Sequence, residues 1–230
     1  MVTMATTAAD TSAATTDRRG TGGPPLWIPA LAYGVLTVVG AALYAGPRPR
    51  AAPETALALQ QASGVGGAIA TVLLFASAAP LAVWTAAVYQ RLHVLGARVA
   101  GPVIALAGGL LAAGAMLASG AVGATAIAVA PAGDAGVAGA LAQLGFAAGA
   151  AGFATPFALL VAGVAVPGMV LGLLPRWLGV VGLVIAVLGV VAALTLVVPA
   201  VSPVLPVVRF GGLLWMLAVS VVLPKHRTRR

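Results

Sequence analysis

Six apolar runs, each about twenty residues long, follow one another between positions 26 and 223, and short segments holding most of the charge divide them. This repeat is the strongest constraint on what the chain can fold into. A helix that crosses ~30 Å of hydrocarbon needs about 20 apolar residues at 1.5 Å each. The runs fall at about 26–46, 64–89, 102–123, 140–166, 177–198 and 204–223. GPRPRAAP closes the first, QRLHVLGAR follows the second, and PAGDAG at 131–136 is the clear turn signal between the third and fourth. The expected fold is all-α: a polytopic membrane protein with six transmembrane helices within 26–224. Composition removes the soluble alternative. The chain is 61% hydrophobic and 7% charged, with a mean hydropathy of +1.11. Soluble domains carry about 25% charged residues, and a chain of this size could not bury so much apolar surface behind a polar exterior.

Charge placement predicts the orientation. With the N-terminus inside, nine of the twelve basic residues lie on cytoplasmic segments, among them Arg91, Arg98 and Arg176. Arg48, Arg50 and Arg209 are the three left outside. An excess of basic residues on the cytoplasmic side is the usual bias, so both termini are expected there, in a bacterial cytoplasmic membrane. Residues 1–25 are small, polar and low in complexity, which predicts a disordered cytoplasmic tail. They are not expected to form a cleavable signal, because the apolar run behind them is too long. Residues 225–230, KHRTRR, form a basic tail suited to anionic lipid. Arg-rich, Ala-, Gly- and Pro-rich usage also fits a GC-rich bacterial genome.

Aromatic residues at run ends support the same layout. Trp27, Tyr44, Tyr89 and Trp177 fall there, as an interfacial belt requires, whereas Trp215 falls within the sixth run. Arg176 sits in GLLPRWLG at 172–179. Pro175 stops one helix or opens the next, and Arg176, Trp177 and Arg91 are expected to be cytoplasmic interface anchors, meeting anionic headgroups.

PGMVLGLLPRWLGVVGLVIAVLGVV at 167–191, AVYQRLHVLG at 87–96 and ETALALQQASG at 54–64 carry a likeness. Together they resemble the uncharacterised six-span bacterial membrane proteins, common in actinobacteria, that carry a domain-of-unknown-function label. The resemblance implies six spans across 26–225 and brings no activity with it.

Several function classes lack their residues. The net charge of +8 would suggest nucleic acid in a soluble protein, but the basic residues flank apolar runs without interleaved aromatics, so no nucleic acid is expected. Cysteine is absent, which excludes disulfide and thiolate chemistry. His93 and His226, the two histidines, fall in basic segments without neighbouring carboxylates, so no metal is expected. No Walker loop, nucleophile elbow or HExxH motif is present. Neither catalytic residues nor cofactors are expected.

Arg209 is the one ionisable residue inside a run, and such residues are functional candidates by default. Counted from position 204, it lies just over one turn inside the outer end of the sixth span. Glu54 and Asp134 lie in the outer loops, so an outer-face polar cluster of Arg209, Glu54 and Asp134 is expected, with Arg209 paired to Glu54 or, failing that, Asp134. Gln60, Gln61 and Gln143 share that half. Pro80 and Pro156 predict kinks. Gly145–Gly149 and Gly168–Gly172 match GxxxG, with internal packing expected over dimerisation. Thr71, Ser77, Thr155 and Ser220 are mid-run hydroxyls that can bond their own helix backbone. The balance favours a non-enzymatic structural, sensory or partner-binding membrane subunit, with membrane-protein partners or self-association. A permease for a small or lipophilic compound is the alternative.

Overall fold

Helix starts follow the local chemistry of the chain. The computed structural model describes residues 25–44 and 51–224. The basic tail, His226, Arg48, Arg50 and the expected tail up to residue 24 lie outside the described residues. Helix α1 is Trp27–Leu43. Pro53 opens α2, Pro53–Ala62, at a position where its missing N–H costs nothing. Asp134 caps α6, Ala135–Phe146, its Oδ1 accepting from the Val137 N–H at 3.0 Å. Pro175 precedes α8, Arg176–Val191. The remaining elements are α3 (Gly64–Ala76), α4 (Ala78–Val94), α5 (Ala100–Val129), α7 (Gly152–Val170), the single turn α9 (Val204–Pro206) and α10 (Gly212–Val222). No strand occurs among the described residues.

Several helices run nearly end to end. Helices α3 and α4 meet at Ser77, whose Oγ donates to the Leu74 carbonyl at 2.6 Å. Pro80, just beyond, has no N–H for the Ala76 carbonyl, which explains an interruption at this point. Helices α6 and α7 join through a π turn at Ala147–Ala151, and α7 continues through Pro156 and Pro167. A second π turn, Val207–Gly211, leads into α10. Among the described residues five segments are thus long and apolar enough to cross a membrane: Gly64–Val94, Ala100–Ala132, Ala135–Val170, Arg176–Leu196 and Pro199–Val222. Trp27–Leu43 is apolar but shorter, about 25 Å at 1.5 Å per residue.

Two helices outrun their apolar signals. Helix α5 extends past position 123 to Val129 because nothing before Pro131 breaks a helix, and α6 begins at Ala135, ahead of 140, because Asp134 supplies the cap.

Helix α5 packs on α7 and α4, α7 packs on α8, and α1 rests on α3, α4 and α10. Glycine makes the α5–α7 approach possible. A Cβ at Gly163 would lie 2.5 Å from the Ala105 nitrogen and 2.6 Å from the Gly101 carbonyl oxygen. Trp84, Tyr33, Phe153, Phe157 and Met216 are fully buried. Val180, Val184, Val187 and Leu194 of the α8 segment, by contrast, are exposed. A chain that turns both faces of its helices apolar has the surface of a protein solvated by lipid.

Both GxxxG matches have internal roles. The Gly149 Cα faces Ser119 of α5 so closely that a Cβ would collide with the Ser119 Oγ. Gly168 and Gly172 form a helix stop instead. Gly172 takes φ +67°, and the Leu173 and Leu174 N–H groups donate to the Gly168 carbonyl at 2.8 and 2.9 Å.

Candidate functional site

Arg209 sits on the second π turn and points into the bundle. Its Nη2 donates to the Gly149 carbonyl at 2.8 Å and to the Met116 Sδ at 3.1 Å. Its Cζ lies 4.8 Å from the centre of the Phe153 ring, in cation–π range. Phe153 stacks on Phe157, centroids 5.0 Å apart, and a Cβ at Gly212 would collide with Phe157. Three helical segments therefore hold the guanidinium: α5 through Met116, the α6–α7 π turn through Gly149, and α7 through Phe153.

This depth overturns the expected cluster. Arg209 is not paired with Glu54 or Asp134; among the described residues it meets a carbonyl, a thioether and a ring. Met116 lies near the middle of α5, and thirteen residues of helix separate it from Val129, about 20 Å of rise. Asp134 lies beyond that end, exposed, its carboxylate engaged in the α6 cap. Glu54 is exposed in the first turn of α2. No arginine side chain covers that distance.

Beside Arg209 lies a cavity of about 290 Å³. Its walls come from α1 (Ala41, with Tyr44 just beyond), α2, α3, α5 and the α6–π run. Leu59, Leu74, Ile127, Leu141 and Phe146 make it largely apolar, and Gly67, Gly120, Gly123, Gly145 and Gly149 open the space. Gln60, Ser63, Thr71, Ser119 and Arg209 are its polar groups, with Tyr44 at the edge. Thr71 and Ser63 bond carbonyls of their own segment at 2.9 and 2.6 Å. Ser119 Oγ reaches across to the Gly145 carbonyl at 3.0 Å.

Helix α2 closes one side. Gln60 Nε2 donates to the Ala138 carbonyl at 3.1 Å, and Gln61 Nε2 to the Ala130 carbonyl at 3.0 Å. Gln60 is buried, and its Oε1 has no hydrogen-bond partner. Buried acceptors left open are uncommon and costly. Tyr33 and Thr37, one turn apart on α1, are also fully buried. Their hydroxyls have no hydrogen-bond partner among the described residues.

The other expected residues are placed as follows. Arg176 and Trp177 open α8 and are exposed. Arg91 is half-buried in the last turn of α4 beside His93, where basic side chains complement the helix dipole; His93 stacks on Tyr89 at 6.2 Å. Gln143 is exposed. Ser77 and Thr71 bond their own helices as expected, but Thr155 Oγ1 reaches the Gly189 carbonyl of α8, at 3.5 Å. Ser220 donates to Met216 of its own helix and also accepts from the Trp84 Nε1 at 2.8 Å. Trp215, out of place for an interfacial belt, is 2% exposed and donates from Nε1 to the Leu178 carbonyl at 2.8 Å.

Met116, Gly149, Phe153 and the Gln60 acceptor were not legible as site residues. The GxxxG match did mark Gly149 as a close-approach point. Nothing in AAGAA at 147–151 signals a π turn.

The described residues and this site define an all-helical protein with five segments able to cross a membrane and a largely apolar cavity that ends on a part-buried cation. Comparison with family models, with curated proteins and with solved structures found no match.

Proposed function

We propose that the chain is a six-span integral membrane protein of the bacterial cytoplasmic membrane, with both termini cytoplasmic, that works by binding a small molecule rather than by catalysis. In this reading it is a sensory or partner-binding subunit, with the six-span layout of the proteins it resembles. Helix α1 is the sixth crossing, its 17 residues at the lower end of the spanning range of about 17–25. Anionic headgroups meet Arg91 and Arg176, and nucleic acid has no part in the function.

One observation carries this reading: a guanidinium held inside the bundle beside a cavity, with no carboxylate among the described residues to neutralise it. Burying such a charge is expensive, and an apolar pocket with a few convergent polar groups is what small-molecule sites look like. The π turn that carries Arg209 and the π turn whose Gly149 carbonyl it meets favour a second reading, a permease, because transporters bind at interrupted helices.

The chain has no cysteine, so single-cysteine variants give clean labels. Ala142→Cys, on the cavity wall, is expected to react with a small methanethiosulfonate and to be shielded by a lipid and metabolite extract of the host cell. Arg176→Cys is expected to label from the cytoplasmic side alone. An Ala142→Cys protein that is inert, or is never shielded, sinks the binding reading. Labelling of Arg176→Cys from outside sinks the topology.

A further inference from the structure

The two ends of the cavity differ in chemistry, and the difference describes a ligand. At the deep end Arg209 offers a fixed cation. A guanidinium has five N–H donors, and the contacts seen here use Nη2 alone, on one carbonyl and one weakly accepting sulfur. At the other end stands the Gln60 side chain, 6% exposed, its Nε2 spent on the Ala138 carbonyl and its Oε1 without a donor. Swapping the amide would set oxygen against the Ala138 oxygen, so the open group is the acceptor. From Ala138 to Gly149 the α6–π run spans eleven residues, about 16 Å of rise. Between the ends lie Leu74, Ala126, Ile127 and Phe146. The volume, about 290 Å³, matches roughly ten water molecules, which suits a thin chain.

We propose that the cavity binds an elongated amphipathic organic anion: a carboxylate or phosphate on Arg209, an apolar chain along the glycine-lined wall, and a hydroxyl or N–H at the far end donating to Gln60 Oε1. This rests on the binding reading above. Charge decides the class. A neutral amphiphile would leave the part-buried cation uncompensated, and a cationic one would repel it, whereas an anion converts an isolated charge into a charge-assisted hydrogen-bonded pair. The donor at the far end satisfies an acceptor that has no partner in the protein, Gln60 turning its buried Oε1 toward the cavity to take it.

The test uses the full-length Ala142→Cys protein in phosphatidylcholine nanodiscs, reading the labelling rate. Dodecanoate and dodecyl phosphate are expected to slow labelling by roughly tenfold, a difference of ~1.4 kcal/mol, and dodecanol and dodecyltrimethylammonium are not. Arg209→Gln removes the protection, read as the ratio of that variant's own labelling rates with and without the anion; Arg209→Lys keeps part of it, which guards against a Gln variant that misfolds. ω-Hydroxydodecanoate protects several-fold better than dodecanoate, consistent with one net hydrogen bond, and Gln60→Leu abolishes that margin. Protection by dodecanol equal to that by dodecanoate, or protection that survives Arg209→Gln, overturns the ligand class. Equal protection by the hydroxylated and plain acids overturns the Gln60 contact. Shielding by the cell extract but by neither anion also overturns the proposal while the binding reading stands. A parallel series in discs doped with phosphatidylglycerol identifies the source. Arg209-dependent shielding by the doped bilayer alone supports a membrane lipid as the natural ligand, and shielding only by added free acid supports a soluble amphiphile.

Discussion

The two halves of α5 do opposite things with the same residues. From Ala100 to Met116 the helix buries Pro102, Ala105, Gly108, Gly109, Ala112, Ala113 and Met116, locked against α4 and α7. From Leu117 to Val129 only Gly120 and Ala126 are buried, and Ser119, Gly120, Gly123, Ala126 and Ile127 line the cavity. Both halves are rich in alanine, glycine and aliphatic residues. In the first half neighbours fill the place of the missing side chains, the Leu160 nitrogen and Pro156 carbonyl at Gly108 and the Thr85 side chain at Gly109. In the second Gly120 still packs on Phe75, but the wall around Gly123, Ala126 and Ile127 faces the cavity. Arg209 touches Met116 at the junction, so the charge sits where a packed helix bundle becomes an open one. Small residues in a membrane helix thus mean either close contact or a cavity, and only the partner across the gap decides which.

That contrast is sharpest at Gly163 against Gly145. Gly163→Val would drive a side chain into the Ala105 nitrogen and the Gly101 carbonyl. Backbone cannot yield as a rotamer can, so a loss of roughly 3 kcal/mol or more is expected, read as loss of a monodisperse peak and a fall in Tm in detergent. A Cβ at Gly145 meets only Val122 Cγ1 at 3.5 Å, an ordinary contact. Gly145→Ala should therefore stay within about 0.5 kcal/mol of the parent. Equal losses at both positions would mean that the two halves of α5 are packed alike.

A smaller effect is expected at Trp215. Its Nε1 ties α10 to the Leu178 carbonyl at the start of α8, on the packed side of the molecule. Trp215→Phe keeps an aromatic ring and removes the donor. Hydrogen bonds between membrane helices are worth about 0.6 kcal/mol on average and up to ~1.7, so a loss near 1 kcal/mol by thermal or denaturant unfolding is expected. No change would mean that the Leu178 carbonyl finds another partner.

Much of the fold was legible because hydropathy and helix-terminal chemistry are local. Pro175 sits at a helix start as read, and the turn at Gly133–Asp134 falls within PAGDAG, whereas Pro53, read only as part of the stretch that closes the first run, opens a helix that puts Glu54 on α2 and not in a loop. The depth of Arg209 was not legible, for a specific reason. Counting from position 204 set it just inside the outer end of the last run. The chain from Pro199 to Pro206 is itself made of one-turn helical pieces, so the last segment runs Pro199–Val222 with ten residues before Arg209 and thirteen after. Prolines at 199 and 203 read as a loop, yet Pro199 opens one short helix and Pro203 precedes the next, positions that suit proline. The partners of Arg209 are a carbonyl, a sulfur and a ring, and none of these carries a charge signature that sequence reasoning could pair with an arginine.

The smallest expected effect bears most directly on that error. Had Arg209 been paired with Glu54 inside the membrane, Glu54→Gln would strand a buried cation and cost about 3–5 kcal/mol. In the structure Glu54 is an exposed residue in the first turn of α2, where its charge favours the helix dipole by about 0.3–1 kcal/mol. Glu54→Gln is therefore expected to lower stability by no more than that, with the shortfall shrinking as salt is added. Protection of Ala142→Cys by dodecanoate should be unchanged, because the anion's partner is Arg209 alone. A loss of several kcal/mol, or a gain in anion protection once the Glu54 charge is gone, would show that the carboxylate reaches the cavity and competes for the guanidinium. It would also make the open half of the molecule mobile enough to bring α2 down onto Arg209, and the division of α5 into a packed half and an open half would then describe only one of its states.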